Sequence, residues 1–255
     1  MLKNYFKIAL RNLARSKVFS FINILGLALG MGCSLLIMLW VQDERGIDAF
    51  HANGKYLHTM YERHYNDGKV TGSYSTPGIM YAEMKKVVPE VKYATPYAWN
   101  ELVTFRAGDK IQKAEGNYTG EDFFKMFSYP LLQGDVNNTL NSPLSIAISR
   151  KMATDFFGSP EQAMGQTLRY QDQKDLTVTA VFEDVPAQSR KKFDFLINWE
   201  VFLESNAWAR DWTNNGPTTY IMLHPNADAA ALEKKLTKFL DNYNKEQDAN
   251  FRIEL

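Results

Sequence analysis

The sequence predicts an α+β protein, with one N-terminal transmembrane helix followed by a large extracytoplasmic domain. Three observations carry this. Val18 to Val41 is an apolar run without a charged residue or a proline. The positions before it are basic. The positions after it alternate between strand-like and helix-like stretches, punctuated by turn residues.

The apolar run comes first in the argument. As a helix it spans roughly 36 Å, against a hydrocarbon core of about 30 Å. Five of the 29 basic residues fall in positions 1–17, which hold no acid, so the rest carries five more acidic than basic residues. Cations next to a spanning segment stay in the cytoplasm. The expected division is therefore 1–17 cytoplasmic, 18–42 transmembrane and 43–255 outside. A cleaved signal is disfavoured because the run is too long for one and no small-x-small cleavage site closes it. A lipoprotein signal at Cys33 is disfavoured because Gly30 stands three residues before it and apolar sequence continues beyond.

Lys3, Lys7, Arg11 and Arg15 recur every four residues and share one helical stripe, while Phe6, Ile8, Leu10 and Leu13 fall largely on other faces. This basic face suits anionic lipid at the inner surface, or a cytoplasmic partner. Within the run, Gly26 and Gly30 form a small-xxx-small pair that lets another helix approach. Trp40 sits where an interfacial aromatic belongs. No phosphate-binding glycine loop occurs anywhere. Cys33 is the only cysteine, so an intramolecular disulfide is excluded. The acidity of residues 43–255 argues against nucleic acid as a partner.

Ile47 to Tyr56 reads as a short helix and Leu57 to Tyr65 as a strand. Asn66-Asp67-Gly68 reads as a hairpin turn, with Val70 to Tyr74 as the return strand. Thr76-Pro77 opens a helix, Thr as cap, with Met80, Met84 and Val87 apolar. Val91 to Trp99 is strand-like. Leu102–Arg106 and Ile111–Glu115 form a second hairpin, and Glu121 to Phe127 a short helix. Leu144 to Ser149 alternates as a strand and leads into a helix, Arg150 to Phe157, stopped by Gly158-Ser159-Pro160. Thr167–Tyr170 and Leu176–Phe182 are strands, the latter with Leu176, Val178, Ala180 and Phe182 on one face. Phe193–Asn198 and Thr218–Leu223 follow as strands. Ala229 to Tyr243 is a helix with Leu232, Leu236, Phe239 and Leu240 in its stripe.

No catalytic constellation stands out. His51, His58 and His64 lack the spacing and companions of a metal site. No serine sits in a nucleophile elbow. Glu183-Asp184 reads as the start of a turn, and Phe123, Phe124 and Phe127 as core. Gly134, Gly158 and Gly165 read as turn glycines. The expectation is a protein that is not an enzyme, with no catalytic, cofactor-binding or metal-binding residue.

Several stretches together resemble one family. They are Phe6-Lys7-Ile8-Ala9-Leu10-Arg11-Asn12-Leu13 with Lys17 to Gly30; Asp48-Ala49-Phe50-His51-Ala52-Asn53; and Asp122 to Phe127 running into Leu131-Leu132-Gln133-Gly134-Asp135. Further on come Pro143 to Ser149 with Ala153, Phe156-Phe157-Gly158 and Gly165, and Val178 to Pro186 with Ser189 and Phe193. In order and spacing the chain resembles the N-terminal part of bacterial ABC-transporter permeases of the MacB/FtsX type, particularly Bacteroidetes forms. Lys55-Tyr56-Leu57-His58-Thr59 departs from the family, which usually has an aromatic and an arginine there.

The resemblance implies a periplasmic core domain with a porter-like α/β part, about 47–105 and 190–250, and an inserted β-rich sabre-like part, about 106–189. It implies the inner membrane, a separate ABC ATP-binding subunit that holds the ATP, further permease helices or a second copy in a dimer, and a periplasmic adaptor or substrate. ATPase-driven motion would reach the periplasmic domain for export or mechanotransmission. In a bacterial setting the glycosylation patterns at Asn117 and Asn137 are idle. On this resemblance the chain is expected to be a truncated permease, because a second membrane helix should follow Leu255. The alternative from another class is a one-helix extracytoplasmic sensor.

Overall fold

The computed structural model describes residues 2–66, 68–243 and 251–254. The chain divides into two units, Met1–Ala49 and Phe50–Leu255. The first consists of two helices, α1 (Leu2–Arg15) and α2 (Lys17–Gly46).

The second unit is built on two sheets. Its strands are β1 (Leu57–Thr59), β2 (Tyr61–Asn66), β3 (Lys69–Ser73), β4 (Val91–Tyr97), β5 (Glu101–Ala107), β6 (Lys110–Thr119), β7 (Leu131–Gln133), β8 (Ser145–Ser149), β9 (Thr167–Tyr170), β10 (Lys174–Phe182), β11 (Phe195–Asn198), β12 (Thr218–Leu223) and β13 (Phe251–Glu254). Its helices are α3 (Met80–Val87), α4 (Phe123–Met126), α5 (Arg150–Phe157), α6 (Pro160–Ala163), α7 (Trp199–Ser205) and α8 (Ala229–Leu236). The large sheet runs β1-β12-β4-β6-β11-β8-β10-β9-β5, and β5 pairs back onto β6. Six strands therefore close into a barrel, which removes their free edges. Of the other four, β7 pairs with β10 beside the barrel, and β1, β12 and β4 form an open leaf attached to it. A separate sheet orders β13-β2-β3.

Two barrel contacts are parallel, β6 with β11 and β8 with β10. Parallel neighbours need a crossover between them. The stretch from α4 to β10 and the helices α5 and α6 supply such crossovers. β8 is buried along its whole length. Ile146 and Ile148 point into the barrel core, while Ala147 faces an aromatic cluster on the other side. The expected alternation is thus one of large against small residues, with both faces covered.

Three cores follow. The barrel core draws its residues from Ala98 to Ala209. The leaf core draws on residues 60–94 and 221–240, with α3 and α8 contributing Met80, Met84, Leu232 and Leu236. An aromatic cluster lies between them, around Phe123, Phe127, Tyr129, Phe182 and Phe193. β5 and β11, grouped with the flanking part on sequence, pack in the barrel core through Phe105 and Phe195.

Several local expectations are corrected. Ile47 to Tyr56 holds turns and one short 3-10 turn at Gly54–Tyr56. The single strand expected over Leu57 to Tyr65 breaks at Met60, whose buried side chain joins the leaf core, and its halves enter different sheets. Thr76 caps nothing. It is buried, with its hydroxyl 2.8 Å from that of Thr219, and Pro77 bridges to Asn215, so α3 starts only at Met80. In β10 a register shift between Val178 and Ala180 flips the alternation. Leu176, Val178 and Val181 enter the barrel core, whereas Ala180 and Phe182 enter the aromatic cluster. The helix expected over Ala229 to Tyr243 ends at Leu236 and resumes as a 3-10 turn, although its apolar stripe is buried as read. Asp67 of the expected hairpin turn lies outside the described residues; Gly68 beside it has φ +73°.

Candidate functional site

The residues the sequence singles out for binding lie in the first unit. In α1, Lys7, Arg11 and Arg15 are exposed, as are Tyr5, Phe6 and Leu13. The side chain of Lys3 lies outside the described residues. At 100° per residue the basic positions sit opposite Tyr5, Phe6 and Leu13, so the helix is apolar on one side and cationic on the other. Ser16 breaks the helix at φ −111°, ψ 61°. The Ser20 hydroxyl then donates to the Leu13 carbonyl over 2.9 Å. In a straight helix seven residues cover about 10 Å of axis, so this bond requires a sharp bend.

The α2 helix is long and apolar enough to cross a membrane. Its apolar side chains are exposed from Val18 through Trp40. A Cβ added at Gly26 or Gly30 would meet nothing within 4 Å, so no contact among the described residues requires glycine there. Ser34 extends the small-residue stripe by one more turn. Its hydroxyl donates back to the Gly30 carbonyl at 2.8 Å, which leaves the face flat. Leu27, Met31 and Leu35 line the same shallow groove. Ser34 escaped the sequence reading, although its spacing of four from Gly30 carried the signal.

In the second unit the candidate chemistry resolves into architecture. His51 is buried between Phe50, Phe127 and Tyr129, and its Nδ1 accepts the Ser128 amide at 3.1 Å. His58 sits on β1 and His64 on β2, in separate sheets. Among the described residues no group of His, Cys, Asp and Glu could hold a metal ion. Glu183 pairs with Arg150, and Asp184 accepts the Lys151 amide at 2.9 Å. Both carboxylates thus clip the segment after β10 to the N-terminus of α5, where negative charge is favoured. Phe123, Phe124 and Phe127 are buried. Asn117 is buried too, donating to the Ala98 carbonyl at 3.0 Å. Asn137 folds back on Asp135. Gly134, Gly158 and Gly165 all take positive φ.

Two buried acids were not legible in the sequence. Asp122 lies between Lys85 at 2.6 Å and Lys125 at 3.0 Å, tying α3 and α4 together. Glu62 on β2 accepts from the Asn215 amide at 2.8 Å and lies 3.3 Å from His64 Nε2. Burial pushes its carboxyl up to about 7, partly offset by the Asn215 bond. Burial also lowers His58 and His64 below the ordinary histidine value. Alternation in Tyr61-Glu62-Arg63-His64-Tyr65 places polar residues on both faces, so it gave no sign of which face is covered.

The family of the MacB-like periplasmic core domain matches residues 20–239. Among solved structures, a domain of a permease-type protein from Porphyromonas gingivalis superposes with TM-score 0.66 at 18% identity, covering 80% of this chain and 91% of that one. The periplasmic region of MacB from Actinobacillus actinomycetemcomitans gives 0.51 at 16% identity, covering 82% and 90%. The extracellular domain of the noncanonic ABC-type transporter YknZ from Gram-positive bacteria gives 0.53 at 15% identity, covering 78% and 100%. At such identities the likeness is one of fold. A search of curated proteins finds no match. The family match runs from inside the apolar helix through the leaf and the barrel, and on that ground the chain belongs to the MacB-like periplasmic core domain family of MacB/FtsX-type transporter permeases.

Proposed function

We propose that this chain is part of a permease subunit that couples an ABC ATPase to an extracytoplasmic domain in the bacterial inner membrane. The N-terminus with α1 is cytoplasmic, α2 spans the bilayer, and the second unit is periplasmic. The excess of Lys and Arg before α2 supports this sidedness. The protein acts mechanically and is not an enzyme. ATP is bound and hydrolysed on a separate subunit, and no cofactor resides in this chain. Gly26, Gly30 and Ser34 face another membrane helix, from the permease itself or from a second copy. The periplasmic unit moves with the membrane helices and meets an adaptor or substrate, in export or in mechanotransmission.

The observation that carries this reading is the continuity of the family match, residues 20–239, from the spanning helix into the outer domain. The test is purification of the full-length protein from solubilised membranes with and without ATP. It should bring an ABC ATP-binding subunit with it. Recovery without such a subunit under every nucleotide condition would remove the reading's centre.

A further inference from the structure

The barrel and the leaf share one sheet, yet the strands that join them barely pair. β4 and β6 meet in register at a single residue pair, Tyr97↔Thr119, whereas β5 and β6 pair over seven. Beyond that pair, the Ala98 amide reaches the Tyr118 carbonyl at 3.3 Å. The chain crosses between leaf and barrel twice, at 98–100 and at 206–217. Each part has a core of its own, and the aromatic cluster between them is shared, Tyr97 and Met222 of the leaf packing with Ala180 and Leu196 of the barrel, while the Thr119 hydroxyl donates to the Pro96 carbonyl at 2.7 Å. A backbone seam this narrow has little stiffness of its own, so side chains must hold it.

One side chain from the barrel crosses the seam as a cation. Lys191 lies in the irregular segment between β10 and β11. Its ammonium sits 4.2 Å from the ring of Tyr220, 5.0 Å from Tyr97 and 5.5 Å from Phe127. It also donates to the Tyr220 hydroxyl at 2.7 Å. Tyr97 and Tyr220 belong to the leaf strands β4 and β12; Phe127 follows α4 and packs in the aromatic cluster. The rings brace one another, Tyr220 standing edge-on to both Tyr97 and Phe127. Three rings around one ammonium make an aromatic cage, the geometry that binds alkylammonium groups. Here its occupant is the protein's own lysine.

The segment that carries Lys191 joins the barrel strands β10 and β11 and is fixed to the aromatic cluster. The Ser189 hydroxyl pairs with that of Tyr129 at 2.9 Å, Lys192 donates to the carbonyls of Pro186 and Ala187, and Phe193 is buried in the aromatic cluster. Rotation of the leaf against β10 and β11 therefore separates Tyr97 and Tyr220 from Lys191. The geometry points to the β4–β6 seam as a hinge between leaf and barrel, and to Lys191 as the latch that holds it shut.

The test places one spin label at Lys86 on α3 and another at Lys113 on β6, in the whole chain in lipid nanodiscs with Cys33→Ser. Both positions are exposed. The wild type should show one narrow distance. Lys191→Met, which keeps the length and loses the charge, should add a second distance, and Lys191→Arg should restore the single one. An unchanged distribution in Lys191→Met overturns the latch. Should that variant fail to fold, hydrogen exchange on the wild type decides. The amides of Ala98 and of residues 187–192 should exchange far faster than those of β8 and β11; equal protection overturns the hinge. No ATPase enters either measurement, so their failure would leave the permease reading standing, and its failure would leave the hinge.

Discussion

Single residues in this protein separate into those the fold needs and those only a partner could need. Gly134 belongs to the first kind. It holds φ +98°, and a Cβ there would lie 2.7 Å from the Thr179 carbonyl oxygen. Gly134→Ala should therefore cost about 1–3 kcal/mol, read as a lowered unfolding temperature. Gly26→Ala, with open space around it, should leave unfolding of the outer domain unchanged. Glu62 shows the cost of a buried acid. Its carboxyl titrates at about 7 in the fold, against 4.5 ordinarily. The folded state thus favours the protonated form. That contribution is complete below about pH 4.5 and is lost as pH rises through 7. At about 1.4 kcal/mol per unit, the loss is roughly 3 kcal/mol at most. Glu62→Gln should match the wild type near pH 5 and exceed it by roughly 2–3 kcal/mol near pH 8. His58 and His64, lowered by burial, work in the opposite sense, losing stability as pH falls; His58 is common to both proteins and drops out of the difference, whereas His64, 3.3 Å from Glu62, is removed from it by making the same comparison in a His64→Gln background. Unfolding free energies measured across that range, with no growth of the gap, would refute the assignment.

At the scale of elements, the helices of the first unit offer two surfaces. Gly26→Leu with Gly30→Leu should leave the second unit folded, by circular dichroism, while weakening assembly of the full-length protein in crosslinking. Assembly unaffected by both leucines would make these positions ordinary lipid-facing ones. Reversing Lys7, Arg11 and Arg15 to Glu should cut binding of an α1 peptide to anionic vesicles, because each cation near such a surface is worth about 1 kcal/mol. What the sequence revealed about elements followed their range. Hairpins, helix stops and apolar stripes are local, and Gly68, Gly158 and the Leu232–Leu240 stripe mark them plainly. The breaks and flips came from distant partners. Met60 is pulled into the leaf core, Thr76 is captured by Thr219 across 143 positions, and the bulge in β10 turns Ala180 and Phe182 to the other face. α7 was missed because its apolar Trp199, Val201, Phe202 and Leu203 follow a strand without a break, with Asn198 as cap. The Lys191 cage joins residues from four separate segments, so no window of sequence could contain it.

At the scale of the molecule, β6, β8, β9 and β10 of the β-rich middle close into a barrel with β5 and β11 from the stretches that flank it, and β1, β12 and β4 form the leaf with α3 and α8. The alternation of strands was visible; the closure of β5 onto β6 was not, because it rests on pairings set by the whole chain. ATP hydrolysis on a partner subunit is proposed to move this domain. Hydrogen exchange of the second unit in the assembled transporter, without nucleotide and with ATP trapped, reads that motion. Exchange should change in the leaf and at residues 187–192 on trapping. Identical exchange throughout the second unit, with the ATPase bound and loaded, would contradict it.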